Sequence, residues 1–153
     1  MGYTTDFTGK FMLNKKLDKE THYLLTGLAT TRRMARNVDG YGVQGEFYTL
    51  DRDDYGQGRN ANIIDYNRPP STQPGLWCHW VPNKSGTSIA WDGGEKFYEY
   101  VEWLEYLIIK VLAPRGYELT GEVEWTGEDN SDMGKIVVTA NIVSVKHARI
   151  SYE

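Results

Sequence analysis

Residues Asp65 to Tyr100 read DYNRPPSTQPGLWCHWVPNKSGTSIAWDGGEKFYEY, and the fold turns on how they are read. Pro69, Pro70 and Pro74 each fix φ and stiffen the approach to Leu76. Leu76 to Val81 then alternates as a strand. Leu76, Cys78 and Trp80 share one face; Trp77, His79 and Val81 share the other. A strand apolar on both faces is either covered twice or lines a site. Pro82 to Gly86 carries turn residues, and Thr87 to Trp91 returns as a second strand. Asp92-Gly93-Gly94-Glu95 has capping-box spacing, which predicts a helix from Gly93 to Leu112. Phe97, Val101, Leu104 and Ile108 form its apolar stripe, continued by Val111 or Leu112. Glu99, Glu102 and Glu105 lie on its wet side, and Pro114 and Gly116 stop it.

Upstream, Phe7 to Leu17 reads as a strand with Phe11 and Leu13 inward. Asp18 is an N-cap candidate with Leu17 as its staple residue. The spacing of Leu24, Leu25, Leu28 and Ala35 predicts a helix from Asp18 to Asn37, ending in Arg32, Arg33 and Arg36, where cations suit the helix dipole. Glu46 to Leu50 reads as a short strand. Asp51 to Gly75 reads as a long irregular segment, and segments of that length are often functional. Downstream, Tyr117 to Glu128 alternates with Val123 and Trp125 inward. Lys135 to Ala140 and Asn141 to Lys146 form a hairpin about Ala140-Asn141.

These elements predict a single two-layer α+β domain over residues 1–153: a curved antiparallel sheet with both amphipathic helices on one face. The order is compatible with a topological β-α-β-β pseudo-repeat whose halves meet near Pro82 to Gly86.

Composition narrows the function classes. The chain has 153 residues, a net charge of −4, five Trp and eleven Tyr. Its acidity argues against a general nucleic-acid binder, which needs clustered Lys and Arg. One cysteine, Cys78, excludes an internal disulfide and fits a reducing, cytoplasmic compartment. No apolar run approaches the ~18 residues of a membrane span, so no membrane partner is expected.

Reactive chemistry finds little support. Asp51 to Gly56 resembles a calcium loop, but Tyr55 stands where an oxygen ligand is needed and Asn62 where a Glu belongs. Cys78 and His79 are strand neighbours and point to opposite faces. Three histidines and one cysteine make no convincing zinc set, so neither metal nor cofactor is expected. Glu99, Glu102 and Glu105, or Glu122 and Glu124, are either solvated faces or carboxylates for acid-base work. The glycines at 40, 42, 45, 56 and 58 precede no helix and make no phosphate loop.

The arginines point elsewhere. Arg32, Arg33 and Arg36 end the first helix, and Arg68 is held by the prolines after it. If the long segment folds over the sheet, these guanidinium groups converge beside Trp77 and Trp80. That set suits a small anionic ligand with a stackable ring: Arg forks grip phosphate and indoles stack on bases. Tyr66 would add to the stack, and Asp65 and Asn67 would read polar edges. On this reading Arg68→Ala abolishes binding. The competing reading pairs the arginines with acids and buries the tryptophans as core.

Four strings carry a resemblance: Asp65-Tyr66-Asn67-Arg68-Pro69-Pro70, Gln73-Pro74-Gly75-Leu76-Trp77-Cys78, Trp91-Asp92-Gly93-Gly94-Glu95-Lys96-Phe97 and Glu102-Trp103-Leu104. With Arg32-Arg33-Met34 they resemble a family of small uncharacterised proteins of bacteriophages and bacteria. The resemblance implies an accessory protein, phage-encoded; small phage proteins of that kind often oppose host defence, some by sequestering a nucleotide signal. The ligand-binding reading adds a homo-oligomer. Its alternatives are an inhibitor or structural partner of a host protein and, ranking below both, a carboxylate-dependent enzyme.

Overall fold

The computed structural model describes residues 2–37, 47–49, 53–58, 61–149 and 151. The fold is α+β, built on one antiparallel sheet of six strands and two helices.

The first strand, β1 (Thr5–Leu13), buries Phe7 and Phe11 and turns Asp6, Thr8 and Lys10 outward. Asp18 caps α1 (Lys19–Thr30) by accepting from the Thr21 N–H at 2.7 Å. That bond holds the Asp18 carboxyl below its ordinary range.

The helix stops at Thr30, short of the expected Asn37. Thr30-Thr31 is a β-branched pair, a weak helix former, and Thr31 is extended at φ −116°. The N–H groups beyond it go to the long segment instead. Arg32 N donates to Tyr55 O, Arg33 N to Leu76 O, Ala35 N to Arg68 O and Asn37 N to Asn62 O. Residues Ala35–Arg36 (β2) pair with Ile63–Asp65 (β3), and Asp53–Gly56 forms a 3-10 turn. The segment read as irregular therefore has its own frame. Phe47–Thr49 form no strand; the rest of the strand expected over 46–50 lies outside the described residues, as do Asp51, Arg52 and the side chains of Asp53 and Asp54 from the acidic stretch.

A hairpin follows, β4 (Trp80–Pro82) with β5 (Ser88–Trp91). Pairing begins at Trp80↔Trp91, so residues 76–79 run beyond the sheet. The second helix, α2 (Tyr100–Leu107), starts well after the expected Gly93. Gly93, Lys96 and Glu99 have φ of 86°, 59° and 56°, which no helix accommodates. Asp92 Oδ1 caps its own turn, accepting from Gly94 N at 2.7 Å, rather than a helix. After Leu107 the coil widens over Ile108–Leu112, tightens at Ala113–Arg115 and closes at Gly116, φ 80°.

Three strands complete the chain: β6 (Leu119–Gly127), β7 (Met133–Thr139) and β8 (Ile142–His147). The β7–β8 turn is Ala140-Asn141 as read, with φ of 45° and 71°. The Asn141 side chain ties this turn to Leu119 N at 2.7 Å and Tyr117 O at 2.9 Å.

Across the sheet the order is β4-β5-β1-β6-β7-β8. Strands β1 and β4 both run antiparallel to β5, so they are parallel to each other. Strands β5 and β6 flank β1 and are parallel for the same reason. Thus β1-α1-β4 and β5-α2-β6 are two interleaved split β-α-β units joined at the β4–β5 turn. Phe7, Phe11, Ile89, Val123, Trp125 and Ile136 join Leu25 and Leu28 of α1 and Trp103, Leu104 and Leu107 of α2 in one core cluster. Thr8, Lys10, Glu122 and Glu124 share the solvent-facing side, where Lys135 Nζ lies 3.5 Å from Glu122. Among the described residues no helix is long and apolar enough to cross a membrane.

Candidate functional site

Where residues 74–79 leave the sheet, they form one wall of a cleft of about 760 Å³. It is larger than the hollows of about 490 Å³ beside Trp125 and about 420 Å³ beside His22. Arg32, Tyr55, Asn67 and residues 95, 96, 98 and 99 are also among its lining.

The half-buried Trp77 is the largest side chain on the wall. The Arg32 guanidinium carbon lies 5.8 Å from its ring centre, within cation–π range. Tyr55 meets the same indole edge-on at 6.0 Å. Arg32 is itself fixed, because its Nε donates to Tyr66 O at 3.0 Å. Two residues along, His79 Nδ1 lies 3.0 and 3.1 Å from the two Asp92 carboxylate oxygens. A carboxylate only accepts, so Nδ1 donates. Phe97 packs edge-on to the imidazole at 5.0 Å. A Cβ on Gly94 would run into the His79 imidazole, so the glycine lets the two segments approach closely without displacing the ring. Under the cleft floor, a Cβ on Gly75 would lie 3.5 Å from Trp103 Nε1, a fully buried N–H with no partner among the described residues.

Backbone strain gathers here as well. The described non-glycine residues with positive φ are Tyr55, Lys96, Glu99, Ala140 and Asn141. The last two form a hairpin turn; the first three all line the cleft. Such strain is typical of binding and catalytic sites. Glu99 also faces Glu102, and the hydrogen bond the two carboxyls share raises the Glu99 pKa above the ordinary range. Glu99→Gly relieves the left-handed strain at the cost of glycine's added chain entropy. It is expected to raise the unfolding free energy by about 0.5–1 kcal/mol. Urea titration measures this; an unchanged or lower midpoint refutes strain at Glu99.

The residues singled out from the sequence divide. Arg32, Asn67 and Trp77 line the cleft. Arg33 and Arg36 do not; they are 2% and 8% exposed and act as internal braces. Arg33 donates to Tyr48 O at 2.8 Å and Gln73 Oε1 at 3.3 Å. Arg36 donates to Gly56 O and Asn62 Oδ1, both at 2.9 Å, and lies 3.7 Å over the Tyr48 ring. Trp80 is 1% exposed, ringed by Phe7, Phe11 and Phe97, and its Nε1 donates to Tyr100 O at 2.8 Å. Arg68, with its side chain 75% exposed, pairs with Asp65 at 3.3 Å away from the cleft lining. Asp65 spends its other oxygen on Asn67 N, and Tyr66 faces solvent. These are corrections to the sequence reading: burial keeps Arg33, Arg36 and Trp80 out of the lining, the Arg68–Asp65 pair lies away from it, and the Tyr66 ring faces solvent instead.

Tyr55, His79, Lys96 and Tyr98 line the cleft and were missed. The strand alternation had placed His79 on the face of Trp77, which was the available signal. Cys78 is enclosed, and burial pushes its thiol up to about 12, so it is no nucleophile. Glu122 and Glu124 lie on the open face of the sheet. A scan of family models, a search of curated proteins and a search of solved structures find no match to this chain.

Proposed function

We propose that the protein binds, without turning over, a small nucleotide-like anionic ligand in the cleft beside Trp77. The carrying observation is a fixed guanidinium, Arg32, and an accessible indole, Trp77, in one hollow large enough for a mononucleotide. A planar ring stacks on the indole, and an anionic group takes the charge of Arg32 or Lys96. Sequestration of a host signal by a phage-type protein is the biological form of this reading; its support is the resemblance of the sequence strings, and a homo-oligomer is part of the same proposal.

A thermal-shift panel of nucleotides tests the proposal. A ligand at a hundred times its dissociation constant adds about 2.7 kcal/mol, a midpoint rise of about 5–10 °C for a chain of this size. No shift with any nucleotide ends the reading. One observation favours a second reading, the docking of an aromatic side chain from a host protein: Tyr55 and Tyr98 on the cleft rim are 59% and 51% exposed. In that case the protein co-purifies with the partner, and no nucleotide shifts its midpoint.

A further inference from the structure

Resting on the nucleotide reading of this cleft, we infer that His79 is a specificity-determining contact that accepts a hydrogen bond from a ribose hydroxyl, so that the site prefers ribonucleoside monophosphates. Trp77 and His79 both line the cleft. Two residues apart in the chain, their Cα atoms lie within about 7 Å of each other. A base stacked on the indole therefore carries its sugar to the imidazole. Lys96 also belongs to the lining. An indole, an imidazole and a lysine are thus available in one hollow to the ring, sugar and phosphate.

The imidazole is prepared for this task. Asp92 accepts the hydrogen bond from Nδ1–H, so in the neutral ring Nε2 offers a lone pair. Nε2 has no partner among the described residues, and the side chain is 16% exposed. Phe97 and Gly94 hold the ring against rotation. With no donor supplied by the described residues, that acceptor is open to a ligand O–H or N–H. The charged lining is balanced: Arg32 and Lys96 against Glu95 and Glu99. That balance disfavours a triphosphate and suits a single phosphate.

Isothermal titration with adenosine, guanosine and cytidine 5′-monophosphates and their 2′-deoxy counterparts tests the inference. The wild type is expected to bind its preferred ribonucleotide about tenfold tighter than the deoxy form, the worth of one hydrogen bond. His79→Phe keeps a flat ring and drops the acceptor, so the ratio falls to about one while stacking on Trp77 continues. His79→Gln restores an acceptor and recovers part of the preference, which guards against a folding defect in the first variant. Equal binding of the two sugars by the wild type, or an undiminished preference in His79→Phe, overturns the role of His79 and leaves the cleft as a nucleotide site. Failure of every nucleotide to bind overturns both.

Discussion

Arg33→Met is expected to lower the unfolding free energy by about 3 kcal/mol, because it leaves buried acceptors without a donor. Arg33 is 2% exposed and sits where three segments meet. Its backbone N–H donates to Leu76 O at 2.7 Å, its guanidinium to Tyr48 O and to Gln73 Oε1. Gln73, 5% exposed, passes the connection to Tyr106 OH at 3.0 Å and so to α2. Methionine matches the stem in length but offers no donor. Each orphaned buried acceptor then costs about 1–3 kcal/mol. Urea unfolding followed by tryptophan fluorescence reads the loss as a lower midpoint at unchanged slope. An unshifted midpoint would mean that solvent reaches these acceptors. Arg33 would then return to the ligand-gripping set from which its burial removes it.

That distinction was not legible in the sequence, and the reason is physical. Arg32, Arg33 and Arg36 differ only in which distant carbonyls they meet. Tyr48, Gly56, Tyr66 and Gln73 lie 15 to 40 residues downstream of the arginines that meet them, and local pattern holds no record of them. By contrast, β1, the cap at Asp18 and the β6–β8 meander were legible, because side-chain alternation and turn chemistry set them within a few residues. The start of α2 was misread for an intermediate reason. Asp92 and Glu95 have capping spacing, yet the Asp92 carboxylate answers Gly94 N and His79. A carboxylate before two glycines serves a turn as readily as a helix, and the imidazole across the hairpin decides between them.

The alternation also separated Trp77 from Trp80, and that separation carries the last prediction. Trp77→Ala is expected to weaken nucleotide binding by roughly 30- to 150-fold, since stacking on an aromatic is worth about 1–3 kcal/mol and the cation–π contact with Arg32 adds to it. The thermal midpoint of the free protein is expected to hold within about 2 °C, because Trp77 is half-buried and lies outside the core cluster. Trp80→Ala should do the reverse, costing about 3–5 kcal/mol of stability through the cavity left among Phe7, Phe11 and Phe97. Arg68→Ala should change neither, since its side chain is spent on Asp65 at the surface. Titration calorimetry and thermal melts on the three variants resolve the matter. If Trp77→Ala binds like the wild type, the ligand lies elsewhere. The basic hollow of Lys16, Lys19 and Lys84 beside His22 then becomes the place to look.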